Sequence, residues 1–158
     1  MRPIIAALAA LSLTACAGGG RSALATTYGK MHLFGGSSDE EIEPGVWKVT
    51  GAGNGPAGPG FGRNVALYRA AEIVKAHGFS HIQVLKQKGR QRSVGVRGGS
   101  MSYAGENMDL IVRGTNDPAA PIDCREKRAE ECLTLPADGV MATIGPQLTF
   151  RNGRARKP

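Results

Sequence analysis

The stretch from residue 64 to residue 79 constrains the fold of this chain more than any other part of its sequence. Four apolar residues in it recur at the spacing of one helix face, and these are Leu67, Ala70, Ala71 and Val74. Gly78 follows the last of them, where a residue in the left-handed conformation commonly ends a helix. The pattern predicts an amphipathic helix over residues 65–77, capped by Asn64, with its apolar face against a sheet.

Segments with alternating or β-branched residues surround this helix and predict strands. They are VWKVT at 46–50, HIQVLKQK at 81–88 and NMDLIVR at 107–113. Residues 138–144 fit either a short helix or a strand, and a short helix is favoured. The sequence therefore predicts an α+β fold of two layers, in which one main amphipathic helix packs on a small sheet of three to four strands.

Composition divides the rest of the chain into segments around one domain at residues 46–150. Gly, Ser and Thr are frequent in residues 16–45, which predicts a flexible tether with a solvated acidic run. Within the domain, residues 89–105 predict a Gly-rich loop, and residues 117–136 predict an excursion that contains two cysteines. Residues 151–158 are basic and predict a tail.

The N-terminus has the features of an export signal. Arg2 supplies a positive charge, and Pro3–Leu13 is apolar except for one serine. As a helix this run would rise roughly 16 Å, too little to cross a hydrocarbon core of about 30 Å. Small residues and Cys16 follow it, which predicts a cleavable signal over residues 1–15. The alternative is an ordinary secretory signal in which the cysteine is coincidental.

The exit of this segment, LTAC, resembles the lipoprotein box of bacteria, in which cleavage occurs before a cysteine that is acylated. The resemblance implies that Cys16 is the lipid attachment site. Ala17, rather than aspartate, follows it, and similarity to known sorting rules then implies the outer membrane. Two stretches of the chain resemble motifs of a family of small uncharacterised bacterial lipoproteins. They are ALYRAAEIVKAHGFSHIQVL and ADGVMATIGPQL. A looser similarity extends to other outer-membrane lipoproteins, including the Rcs stress-sensor type.

Cys124 and Cys132 are the two cysteines that remain after Cys16. An even pair in an oxidising compartment predicts a disulfide, and the alternative is two free thiols. The spacing of the pair and the absence of further ligands nearby do not favour a metal site.

Five cations gather within twelve residues of the chain, and they are Lys86, Lys88, Arg90, Arg92 and Arg97. They fit a solubilising strand edge, and they also fit a surface for an anionic envelope component or another envelope protein. The chain has a formal net charge of +7, a density that does not indicate a nucleic-acid partner.

No stretch of the sequence predicts a reaction centre. Residues 53–58 match GxGxxG formally, but Pro56 lacks an N–H for a phosphate and the predicted helix begins well past this loop. His77 and His81 are separated by Gly78, so a metal pair on one helix face is not expected. We therefore predict no cofactor, no metal and no enzymatic activity.

These features together predict a lipoprotein anchored in the bilayer through Cys16, at the periplasmic face of the outer membrane. Its domain is expected to have a structural, binding or sensing role. The alternative is a membrane-anchored periplasmic enzyme, either a hydrolase or a thiol redox protein, with an unrecognised site.

Overall fold

The computed structural model describes residues 25–150, in which five strands form one antiparallel sheet with the order β1-β2-β4-β3-β5. The strands are β1 (Gly36–Glu43), β2 (Val46–Asn54), β3 (His81–Gly95), β4 (Met101–Thr115) and β5 (Leu133–Pro136). Each neighbouring pair runs antiparallel. The central strand is β4, and it pairs with β2 along all nine residues of β2, from Val46 to Asn54.

Two α-helices lie on one face of this sheet, α1 (Phe61–Ala76) and α2 (Ala137–Ile144). Helix α1 crosses β2 and β4, and α2 packs beside it. The core between the helices and the sheet consists mainly of small and β-branched residues. Its most deeply buried members include Val49, Val65, Ala66, Ala70, Ala71, Val74, Ile82, Leu110 and Val112. We call the side of the sheet that carries the helices the helix face and the other side the open face.

The predicted fold class is wrong in both of its counts. The sheet has five strands rather than three or four, and two α-helices pack on it rather than one main helix. The helix at 137–144 agrees with the favoured interpretation of that segment. Three of the strands were expected at 46–50, 81–88 and 107–113, and all three are longer in the structure.

Strand β1 corrects the prediction of a tether over residues 16–45. Its acidic residues indicated a solvated segment, but Gly36–Glu43 pairs with β2 as an edge strand whose carboxylates face solvent or cations. Residues 25–35 also belong to the folded part, because Tyr28 is buried against Tyr68 and Phe150.

The Gly-rich segment 89–105 is a β-hairpin rather than a loop. Strand β3 continues to Gly95 and β4 begins at Met101, so that only residues 96–100 form the turn. Glycine and serine lower strand propensity, which is why composition alone predicted a loop. The hairpin is stabilised by its pairing with β4, and its residues 88–102 are solvent-exposed.

The end of α1 is as predicted and its beginning is not. Gly78 has a φ of +81°, and the N–H of Phe79 donates to the carbonyl of Val74 at 2.9 Å, as in a Schellman motif. The helix begins at Phe61, with Gly60 rather than Asn64 at the N-cap. Leu67 is half-buried at the rim, whereas the other three residues of the predicted stripe are fully buried.

Candidate functional site: a basic face of the sheet

The position of the predicted cationic residues depends on a β-bulge in β3. Val84 pairs with Val112 and Lys86 pairs with Ile111, so Leu85 is the extra residue between them. Cross-strand partners point to the same face of a sheet, and successive residues of β4 alternate between faces. Lys86 therefore points to the open face, although Ile82 and Val84 on the same strand point to the helices.

Beyond the bulge, β3 alternates without interruption, because the second irregularity, between Arg92 and Ser93, places its extra residue in β4. Four of the five predicted cations consequently lie in one column on the open face. Lys48 of β2 joins them, since it shares the partner Ile111 with Lys86. All five side chains are exposed, and we call this set the basic face; its members are Lys48, Lys86, Lys88, Arg90 and Arg92.

Asp109 is the acidic group in the centre of the basic face. Its carboxylate accepts a hydrogen bond from the Thr50 hydroxyl at 2.7 Å and lies 3.6 Å from the Arg90 guanidinium. Glu40 lies on the same side of the sheet, in the row of Lys48. Cations thus outnumber carboxylates on this face, and the face has room for a further anion.

Arg97 does not belong to the basic face, because it lies in the turn at residues 96–100. Three apolar side chains surround this turn and are unusually open to solvent. Val94 is 52% exposed, Val96 43% and Met101 68%. The alternation of β3 places Val94 on the side of the basic face, while Met101 pairs with Gly95 on the opposite side. Val96 comes next, in the turn itself, where its N–H donates to the Ser100 carbonyl at 2.8 Å.

The cysteine excursion covers the other half of the open face. The Gln83 amide, nearly fully buried, donates to the Ala120 carbonyl at 3.0 Å, and the Arg125 N–H donates to the Leu85 carbonyl at 2.8 Å. Cys124 and Cys132 form the predicted disulfide, with their Cα atoms 5.7 Å apart. The excursion is therefore part of the domain's packing, and it is shorter than the predicted 117–136, because residues 133–136 form β5 and pair with β3 in the sheet.

An ion pair fixes the excursion to the far edge of the sheet. Arg125 donates to both carboxylate oxygens of Glu43 on β1, at 2.8 and 2.7 Å. Hydrogen bonding to the guanidinium lowers the pKa of the Glu43 carboxyl below its usual range. Asp123 and Arg113 extend this pair into a chain of alternating charges.

A second polar cluster, which the sequence analysis missed, joins the N-terminal segment to α1. The Tyr28 hydroxyl donates to Glu72, and Arg69 contacts Glu72 at 3.0 Å and Asp39 of β1 at 2.8 Å. Burial, followed by the hydrogen bond to Glu72, raises the pKa of the Tyr28 phenol far above its ordinary value. A cavity of about 370 Å³ lies beside this cluster. Of these contacts, only the Arg69–Glu72 pair has a spacing, i and i+3 on one helix, at which side chains are expected to meet.

The glycine motif at residues 53–58 does not form a phosphate-binding loop. The first turn of α1 is already occupied, since Glu106 of β4 accepts a hydrogen bond from the Gly62 N–H at 2.8 Å. A carboxylate at this helix end interacts favourably with the positive end of the helix dipole, as a phosphate would. Residues 55–57 instead form a single 3-10 turn that leads into the helix.

His77 and His81 lie in different elements, outside the basic face. His77 at the end of α1 packs on Trp47, and His81 begins β3. Within residues 25–150, no three His, Cys, Asp or Glu side chains are grouped as a metal site would require. In the same part of the chain, no helix has the length and apolar character needed to cross a membrane. Cys16 and the basic tail at 151–158 lie outside the described residues.

Comparison with protein families, with curated proteins and with solved structures finds no match to this chain.

Proposed function

We propose that this protein is a lipoprotein of the bacterial cell envelope, anchored through Cys16 at the periplasmic face of the outer membrane. Its domain has a binding role, with a structural or sensing consequence, and its partner is an anionic component of the envelope. The proposal of an anchor rests on the LTAC box and the short apolar run before it. The proposal of an anionic partner rests on the basic face.

The observation that carries the binding role is the arrangement of the basic face. Four of the cations lie in one column because they are spaced by two residues in β3, and the Leu85 bulge turns this column to the open face, beside Lys48. Cations that only solubilise a strand edge do not need this shared direction. Near an anionic surface each such cation contributes about 1 kcal/mol. Several cations on one face can therefore act together on one extended anion.

The anchor is tested by metabolic labelling with palmitate. Label should enter the wild-type protein and be lost in Cys16→Ser, while Cys124→Ser, which removes a cysteine of the disulfide, should retain it. Fractionation should place the labelled protein with outer-membrane markers. Equal labelling of wild type and Cys16→Ser contradicts the anchor, and recovery only with inner-membrane markers contradicts the location.

The binding surface is tested on an immobilised polyanion such as heparin, with the chain that begins at Ala17. This chain keeps every described strand and helix, since all of them lie after residue 35. The quadruple variant Lys86→Gln, Lys88→Gln, Arg90→Gln, Arg92→Gln should elute at a clearly lower salt concentration than wild type. A matched control removes four cations elsewhere, by Lys30→Gln, Arg63→Gln, Lys127→Gln and Arg128→Gln. Equal loss of retention in both variants would mean that heparin binding depends on the total charge of the protein and not on the basic face.

A further inference from the structure

We infer that the anionic partner of the basic face is the phospholipid surface of the membrane that holds the anchor, and that Val94 and Val96 enter its headgroup region. This inference rests on the proposed function and deepens it by naming the partner. The docking surface consists of the basic face, which includes Lys48 of β2, and of the two valines at the end of the β3–β4 hairpin.

Along β3, the side chains on the open face change from cationic to apolar, whereas those on the other side of the strand do not. On the open face, four cations are followed by Val94, and Val96 comes next at the start of the turn; both valines are exposed. The residues of β3 that alternate with these point to the other side of the sheet, and they are polar or lack a side chain. They are Gln87, Gly89, Gln91, Ser93 and Gly95. Cations next to exposed apolar side chains on one side of an element are typical of segments that lie in a membrane interface. A free soluble anion would match the cations but not the valines.

The described part of the N-terminal segment begins at the end of the domain that carries the hairpin. Thr26 and Asn54 exchange two hydrogen bonds of 3.0 Å, from the Thr26 N–H to the Asn54 side-chain oxygen and from the Asn54 N–H to the Thr26 hydroxyl. Asn54 lies in the row of Gly105 and Arg92, at the base of the projecting hairpin. Nine peptide steps separate Cys16 from Ala25, which gives a reach of at most about 30 Å. An acylated Cys16 can therefore hold the hairpin at the bilayer surface.

The cysteine excursion determines which end of the open face approaches the bilayer. It packs on the half of this face that lies on the N-terminal side of the bulge, around Gln83 and Leu85. It carries more acidic than basic groups, with Asp117, Asp123, Glu126, Glu130 and Glu131 against Arg125, Lys127 and Arg128. An anionic surface repels this half and attracts the hairpin half. The domain is thus expected to tilt with the hairpin toward the membrane. A second copy of the chain is a poor occupant, because two basic faces repel each other.

The inference is tested by co-sedimentation of the chain from Ala17 with vesicles of equal parts phosphatidylglycerol and phosphatidylcholine, compared with phosphatidylcholine alone. Wild type should bind only the anionic vesicles. The variant Val94→Thr, Val96→Thr should bind them about tenfold more weakly, since buried methyl groups are lost, while its heparin retention stays unchanged. Met101→Thr, on the other side of the same hairpin, is the matched control and should bind as wild type.

A second measurement uses the full acylated protein reconstituted in the same vesicles. Amine acetylation of Lys86 and Lys88 should be slower in anionic vesicles than in phosphatidylcholine, whereas Lys75 of α1, on the helix face, should react equally in both. Undiminished vesicle binding of the valine variant, or equal acetylation of Lys86 in both vesicles, overturns the inference. Binding to lipopolysaccharide or to an acidic protein but not to phosphatidylglycerol vesicles also overturns it, and heparin retention by the basic face then leaves the proposed function standing. If wild type and the quadruple charge variant are retained equally on heparin, the proposed function itself fails.

Discussion

Gly51 of β2 and Gly62 of α1 approach each other so closely that Gly51 has no room for a side chain. A Cβ at Gly51 would lie 2.2 Å from the Gly62 carbonyl oxygen and 2.5 Å from the Ala66 nitrogen. A Cβ at Gly62 would lie 3.2 Å from the Gly51 carbonyl oxygen. The atoms that face Gly51 are backbone, so they cannot rotate out of the way, whereas Gly62 also faces the Glu106 side chain, at 3.1 Å. The first turns of α1 therefore pack directly against the backbone of β2, because Gly51 has no side chain.

This contact predicts that Gly51→Ala is strongly destabilising. The added methyl group must push α1 away from β2, and we expect a loss of about 3 kcal/mol, at the upper end of typical overpacking costs. Gly95→Ala is the control, because its Cβ would meet only the Met101 sulfur at 3.9 Å, and it should change stability by less than about 0.5 kcal/mol. Urea unfolding of the two variants measures the difference. A Gly51→Ala protein as stable as wild type would mean that α1 does not sit on β2 in this way.

Features that depend on nearby residues were predictable from this sequence. The Gly78 helix end, the Arg69–Glu72 pair and the Cys124–Cys132 disulfide each depend on residues within one turn or one short loop. Strand β1 was not predictable in this way, because its residues are acidic and its stability comes from pairing with β2. The hairpin was missed for a similar reason, since glycine content obscured an alternation of cations with small or polar residues.

In the candidate site, too, the features that depend on nearby residues were predictable and those that depend on distant ones were not. The sequence identified the cations of β3, but uninterrupted alternation from Ile82 and Val84 would have directed Lys86 and Lys88 toward the helices. The Leu85 bulge reverses this direction, and it is stabilised by a partner distant in the chain, the Arg125 N–H that donates to the Leu85 carbonyl. Lys48 could not be assigned to the site until the register of β2 and β4 was known. The membership of a surface depends on register, which the local sequence does not encode.

Glu106 provides a test of how α1 begins. Its buried carboxylate accepts from the Gly62 N–H, so Glu106→Ala leaves that donor without its partner, at a cost of about 1–3 kcal/mol. Glu106→Gln retains an acceptor oxygen of similar reach and should cost less than the alanine variant. Urea unfolding ranks the three proteins, and amide exchange at Gly62 locates the effect. Equal stability of the Gln and Ala variants would contradict a capping role.

The disulfide is expected to stabilise the domain without being required for folding. The five-stranded sheet forms through its own hydrogen bonds, while the chain-entropy model gives about 2–3 kcal/mol for a loop of this length. The double variant Cys124→Ser, Cys132→Ser should therefore fold and lose about that amount in urea unfolding. Its Arg125 amide, which bonds to Leu85, should exchange faster, while the amide of Val49 in β2 should change only in proportion to the global loss. An unfolded double variant would show that the excursion nucleates the sheet.

The Glu43–Arg125 pair predicts a contribution to stability that disappears in acid. The pKa of Glu43 is lowered in the folded protein by the hydrogen bonds from Arg125, whereas in the unfolded chain it returns to about 4.3. A carboxyl with a lowered folded pKa stabilises fully above its unfolded pKa, and this contribution is lost as the pH falls through the folded pKa. The unfolding free energy of wild type should thus fall more steeply below about pH 4.3 than that of Glu43→Gln. Arg125→Gln should raise the Glu43 pKa, followed by the side-chain carbon shift in NMR, toward its ordinary value. In the Arg125→Gln background, Glu43→Gln should no longer alter the pH dependence; an effect of equal size in both backgrounds would assign it to another partner of Glu43.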